Sequence, residues 1–134
     1  MIKVLMAWRD NPNRTVEECD AYYLGEHTRA SVASLSKAPG FLAYIQNRVT
    51  AARAHDFDAV EDRPAEPLFN RMVEIYFDSR ENYEKATSAN PEQMRAVHAT
   101  HHLYMDVNIP ASIIVYELEE VVALQCGALP SRSL

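Results

Sequence analysis

The sequence predicts a ferredoxin-like α+β sandwich, and three observations carry that prediction. Segments 2–9, 41–50, 71–78 and 108–118 read as strands from their alternating or β-branched apolar patterning. The stretches between the first and second strands, and between the third and fourth, open on helix-capping signals. The resulting order, β-α-β-β-α-α-β, puts two halves around one antiparallel four-stranded sheet with helices on one face.

In the first strand Ile2, Val4, Met6 and Trp8 fall on one face. Asp10-Asn11-Pro12-Asn13 is a turn cluster. Thr15 with Glu18 forms a capping box, and the helix it starts is expected to run to about Ser36. Val16, Cys19, Tyr23, His27 and Ala30 make its apolar stripe. Pro39-Gly40 ends it. The second strand alternates Phe41, Ala43 and Ile45 with Leu42, Tyr44 and Gln46. Residues 51–70 show no period and read as a long loop.

The third strand sets Val73, Ile75 and Phe77 against Met72, Glu74 and Tyr76. Asp78 or Ser79 caps a short helix over 80–88. Asn90-Pro91 starts another, expected to reach about Asp106, with proline at its first position. The fourth strand is rich in Ile and Val. The chain therefore divides into a domain over 1–118 and a tail or dimer arm over 119–134. Neither face of the sheet reads as solvated, so a symmetric homodimer, sheet against sheet, is expected to cover the second face.

Composition narrows the function. The chain has 134 residues, which points to one domain, with 48% hydrophobic and 24% charged residues as in ordinary globular proteins. Its net charge of −6 and scattered Lys and Arg argue against nucleic acid. No apolar run approaches the length of a membrane helix, and the N-terminus lacks a signal-peptide pattern, so a cytoplasmic protein with no membrane partner is expected. Cys19 and Cys126 have no metal-ligand spacing and read as reduced thiols. With three glycines there is no GxGxxG or P-loop, and there is no GxSxG elbow.

Two blocks resemble the EthD family. The stretch AYYLGEHTRASVASLSKAPGFLAYIQNRV is similar to its signature through Tyr22, Tyr23, His27, Pro39, Gly40, Tyr44 and Asn47. MVEIYFDS is similar to a family strand through Glu74, Tyr76, Phe77, Asp78 and Ser79. The second aromatic is usually Trp in that family and is Tyr23 here. Thr28 and Arg29 stand where a proline is common. The resemblance covers about residues 1–118. It implies a dimeric α+β barrel, cofactor-free in most relatives. It also implies varied chemistry: dehydration or decarboxylation in aromatic polyketide pathways, with fold relatives that isomerise lactones or act as cofactor-independent monooxygenases.

Several residues are candidates for chemistry. His27 lies one turn after Tyr23 on the apolar stripe, with an ordinary pKa near that suited to proton transfer. A hydrogen-bonded core histidine is the plainer alternative. Glu74 sits between Val73 and Ile75, where a carboxylate is costly unless paired. It reads as an acid or base of raised pKa, or as the partner of Arg48 or Arg71. His98, His101 and His102 share a helix face at spacings of three and four. Without a glutamate in HExxH position they make a weak metal set, so no metal is expected, and His98 or His101 is expected to face a pocket. Trp8, Tyr22, Tyr23, Phe41, Tyr44, Tyr76, Tyr104 and Tyr116 are aromatics for a planar substrate to lie against, or core. Trp8 and Asn47 also stand out because cofactor-free oxygenases of the resembled fold use Trp and Asn near the substrate.

The expected function is a cofactor-independent lyase or isomerase of a small aromatic, lactone or polyketide-like substrate. In that reading His27, Glu74 and Tyr23 carry the chemistry, and Trp8, Tyr44, Asn47, Tyr76, His98 and His101 line the substrate site. The alternatives are a cofactor-free monooxygenase of an aromatic substrate and a non-catalytic dimer that binds a metabolite.

Overall fold

The computed structural model describes residues 1–120. Its main sheet is formed by β1 (Ile2–Trp8), β2 (Phe41–Arg48), β5 (Arg71–Phe77) and β6 (Ile113–Glu119) in the order β2-β5-β1-β6, every pair antiparallel. Helices α1 (Val16–Tyr22), α2 (Thr28–Leu35), α3 (Arg80–Ser88) and α4 (Pro91–His98) complete the expected ferredoxin-like α+β arrangement. Among the described residues, no helix is long and apolar enough to cross a membrane.

The expected caps form. Thr15 Oγ1 accepts from the Glu18 amide at 3.1 Å, and the reciprocal contact completes the capping box. The side chains of Ser79 and Asn90 accept from the amides of Asn82 and Gln93 and start α3 and α4.

The single helix expected to run to Ser36 is interrupted. Its middle, Tyr23–His27, is a wide π-type turn in which Gly25 leaves helical geometry (φ −85°, ψ −108°). The Thr28 hydroxyl donates to the Tyr23 carbonyl at 2.5 Å, which satisfies one backbone acceptor at the break. The helix expected to reach Asp106 stops at His98 and gives way to a 3₁₀ turn over His101–Leu103. Residues 51–70 are not structureless: β3 (Ala52–Ala54) and β4 (Arg63–Ala65) pair as a small hairpin, with His55–Asp62 and Arg63–Asp56 pairs between them. β6 starts at Ile113, five residues later than its expected start at Asn108. Glu119 is its last residue. The expected C-terminal tail, with Cys126, lies beyond 120 outside the described residues.

Register decides what each strand face does. Val4, Ile75 and Tyr44 lie abreast across β1, β5 and β2, as do Met6, Val73 and Gln46. This face carries the core, in which Val4, Phe77, Cys19, Tyr23, Tyr104 and Met105 are fully buried. In β2 the register shifts at Leu42, so Phe41 joins the core face and packs on Phe77, while Ala43 and Ile45 turn to the other side. The simple alternation expected for β2 is corrected by this bulge. The outer face presents Leu5, Ile45, Met72, Tyr76, Ile114, Tyr116 and Leu118. Tyr116 and Leu118 are exposed there.

Two ties hold the ends of the sheet. Gly40 takes φ +76°, and a Cβ there would stand 2.1 Å from Asp78 Oδ1. Only glycine fits this turn. At the other end Arg71 is buried, bonded to Asp10 at 2.6 and 3.0 Å and to Asp20. Asp20 also pairs with Arg48. Arg48 and Arg71 therefore serve these aspartates, not Glu74.

Candidate functional site

The helices do not close down on the whole sheet. Between them and the core face lies a cavity of about 490 Å³. Its floor is sheet: Met6 and Trp8 from β1, Tyr44 from β2, Val73 and Ile75 from β5, and Ile113 from β6. Its walls come from the π turn and α2 on one side and from α3, α4 and the turn after α4 on the other. Among the described residues its lining contains no Asp, Glu, Lys or Arg. A second cleft of about 250 Å³, lined by Tyr22, Glu26, His27, Gln93 and Val97 among others, adjoins it and shares His27 and Tyr104.

His27 stands in both. Its ring stacks on Tyr23, with centroids 5.3 Å apart and 25° between planes. Nδ1 lies 3.4 Å from the Tyr104 hydroxyl, and Nε2 lies 3.4 Å from Ser31 Oγ. Tyr104 reaches this point because the end of β1 grips the segment after α4. Asn11 donates to the Tyr104 carbonyl at 3.1 Å, Asp106 donates to Arg9, and Asp10 bridges Met105.

A second polar group surrounds Tyr23. Its hydroxyl lies 3.0 Å from the Tyr44 hydroxyl, and Gln46 Nε2 donates to Tyr44 at 3.3 Å and to Thr28 at 2.6 Å. Trp8 meets Tyr23 edge-on at 4.9 Å, and its buried indole N–H has no partner among the described residues. His101 extends the aromatic group, 6.1 Å from His27 and 4.9 Å from His98 between ring centroids.

Burial sets the charge states. Desolvation holds His27 below the ordinary histidine range. It lowers His101 to about 4, with help from His98 and His27. Both rings are therefore neutral at neutral pH. Burial raises the phenols of Tyr23 and Tyr104, and Tyr44 raises them further, so both keep their protons. A neutral imidazole beside un-ionised phenols gives a proton acceptor next to hydrogen-bond donors. Among the described residues no group of three His, Cys, Asp or Glu side chains is arranged to hold a metal ion.

Of the residues singled out in the sequence, Trp8, Tyr23, His27, Tyr44, His98 and His101 line this one cavity. Glu74, Asn47 and Tyr76 do not. They lie on the outer sheet face, where Glu74 accepts from Asn47 at 3.0 Å and from Tyr76 at 2.9 Å. The expectation that Glu74 and Asn47 act beside His27 is corrected by this placement, since strand alternation turns them away. His102 is exposed, and its carbonyl accepts from Asn11. Tyr104, expected only as one of several aromatics against a planar substrate, stands beside His27, and Gln46 was not expected at the site. Tyr104 follows His101 by three residues, a spacing that brings it to the same side of a helical turn.

No family model matches the chain, and no curated protein does. Solved structures do. An ethyl tert-butyl ether D (EthD) family protein from Bacillus halodurans superposes with a TM-score of 0.56 and 19% identity, covering 90% of this chain and 100% of its own. An EthD-like protein from Ralstonia eutropha gives 0.59 and 22%, covering 90% and 92%. The chain has the fold of EthD family proteins. A dimeric ferredoxin-like protein from Thermobifida fusca gives 0.50 and 13%, covering 87% and 88%. Within this EthD fold the two resembling blocks meet different surroundings. Tyr23, His27 and Tyr44 turn into the cavity, while Asn47, Glu74 and Tyr76 form a separate cluster on the open side of the sheet.

Proposed function

We propose that the chain is a cofactor-independent lyase or isomerase that binds a small aromatic, lactone or polyketide-like molecule in the 490 Å³ cavity. The observation that carries this reading is His27: a neutral imidazole in an apolar cavity, stacked on Tyr23 and bonded to Tyr104. Such a ring removes a proton from a carbon beside a carbonyl and becomes imidazolium. The electron pair moves onto the carbonyl oxygen, and a phenol donates a hydrogen bond to the resulting enolate. Tyr104, whose hydroxyl lies 3.4 Å from His27 Nδ1, is the phenol placed for this, and Tyr23 backs the ring. Return of the proton at another carbon shifts a double bond, and its transfer from the imidazolium to a β-hydroxyl, which leaves as water as the enolate collapses, completes a dehydration.

The protein works as a homodimer in this proposal, with the outer sheet face covered by a second copy. The apolar Leu5, Ile45, Met72, Tyr116 and Leu118 on that face support it, as does the dimeric state of the Thermobifida fusca protein. The oxygenase alternative draws no support from Trp8 and Asn47, which face opposite sides of the sheet.

The test uses 2-tetralone, an aromatic ketone with acidic C–H groups next to its carbonyl. Its exchange with D₂O is followed by NMR. The wild-type protein is expected to accelerate exchange, and His27→Ala to lose about 10²–10⁴-fold of that acceleration while the dimer survives. Equal exchange with wild type and variant removes His27 from the mechanism.

A further inference from the structure

His98 and His101 are not used by the proton transfer assigned to His27. Both line the cavity with their rings 4.9 Å apart, and neither ring hydrogen-bonds to another described residue. His27, in contrast, has a neighbour at each nitrogen. His98 is exposed at the cavity and His101 is half-buried, and the lining around them contains no Asp, Glu, Lys or Arg. A proton shared by this pair has no carboxylate in the lining to balance it, and an anion entering the cavity supplies that balance.

We infer that the cavity takes an aromatic carboxylate, whose head group lies against His98 and His101 and is held by a proton that this pair gains on binding. The inference rests on the cavity being the ligand site, as proposed above, and it divides the labour there. His98 and His101 hold the acid, His27 stays free to move a proton, and Trp8, Tyr44, Phe77 and Tyr83 meet the ring system. The depressed basicity of His101 fits, because an arriving anion restores what burial and the neighbouring imidazoles remove. His27 from the π turn and Tyr104 after α4 contact His101, and the other titratable groups of the cavity lining are Tyr23 from the π turn, Tyr44 from β2 and Tyr83 from α3. Glu26 lines the adjoining cleft.

The experiment compares 2-naphthoate with its neutral isostere 2-naphthamide by isothermal titration calorimetry. Titrations run from about pH 6 to pH 8, where free histidine passes from partly charged to neutral, in two buffers of different ionisation enthalpy. The expected result is uptake of about one proton per naphthoate, with Kd rising about tenfold per pH unit. Naphthamide binds without uptake and without that slope. The His98→Phe/His101→Phe double variant loses both the uptake and the preference for the acid. Equal, pH-independent binding of acid and amide overturns the carboxylate site while leaving the cavity as a ligand site. Uptake that disappears in His27→Phe but persists in the double variant overturns the assignment to His98 and His101. Failure of the wild-type protein to bind either compound overturns this inference and the cavity reading together.

Discussion

His27 and Tyr23 lie ring on ring, 5.3 Å apart, across a break in the first helical segment. The break matters to the pair, because the wide turn replaces regular helical spacing between two residues four apart. Tyr23 is buried and fixed from two further sides by Trp8 and Tyr44, so the stack gives His27 a rigid backing. Tyr23→Phe keeps the ring and loses only the hydroxyl contact to Tyr44. It is expected to retain proton-exchange activity to within about tenfold. Tyr23→Leu removes the backing and is expected to fall by about 10²-fold or more. Tetralone exchange rates for the two variants check this, and equal losses in both would assign the role to the hydroxyl.

The half-buried histidines set an acid limit on stability. His101 is lowered to about 4 in the folded protein, against about 6.5 in an unfolded chain. Between those values the unfolded state binds more protons, so stability rises with pH and is lost as pH falls from about 6.5 toward about 4. His101 is only half-buried, so the expected loss is about 1–2 kcal/mol, well under the full pKa difference. Urea unfolding at pH 7 and pH 5 measures it. His101→Phe is expected to flatten the pH dependence, and His27→Phe to flatten it less.

Arg71 is the residue whose loss should hurt stability most. Its guanidinium is buried between Asp10 and Asp20. Burial by itself would lower its basicity, but the two carboxylates outweigh that and raise it. Arg71→Ala leaves the carboxylates facing each other without a cation, and about 3–5 kcal/mol of destabilisation is expected. Arg71→Lys cannot make the paired contact to Asp10 and is expected to recover only part of it. Urea midpoints of the three proteins check the order.

Gly40 offers a backbone test. With φ +76° and Asp78 Oδ1 in the space of a Cβ, Gly40→Ala is expected to cost about 1–3 kcal/mol. The cost should fall when Asp78 is shortened in a Gly40→Ala/Asp78→Ala double variant, since part of it is the clash and part is the backbone.

The outer sheet face is tested by charge. Tyr116 and Leu118 are exposed on β6 beside Leu5 and Lys3 of β1. Tyr116→Glu with Leu118→Lys is expected to turn a dimer into a monomer, read by sedimentation velocity at matched concentrations. A wild-type protein that sediments as a monomer removes the dimer.

Much of this molecule is legible from its residues. Thr15 with Glu18, Ser79 and Asn90-Pro91 mark the helix starts because caps act over three residues of local chain. Pro39-Gly40 marks a stop, and the position of His27 one turn after Tyr23 points it inward. The break at Gly25 was not legible, since an isolated glycine inside an apolar stripe is compatible with an unbroken helix. The β3–β4 hairpin was hidden because three-residue strands are too short to show a period.

The sequence alone determined the element order, the capping signals, and the two alternating sets Val73, Ile75, Phe77 and Met72, Glu74, Tyr76 in β5. Tertiary structure decided which set the helices cover. Both faces of the sheet carry apolar residues, so alternation could not rank them. Packing of Tyr23 and Phe77 beneath the helices, with the shift at Leu42, put Tyr44 with His27 and left Glu74 and Asn47 outside. The cavity depends on contacts between residues 77 positions apart, Tyr104 and His27, and local spacing carries no information about those.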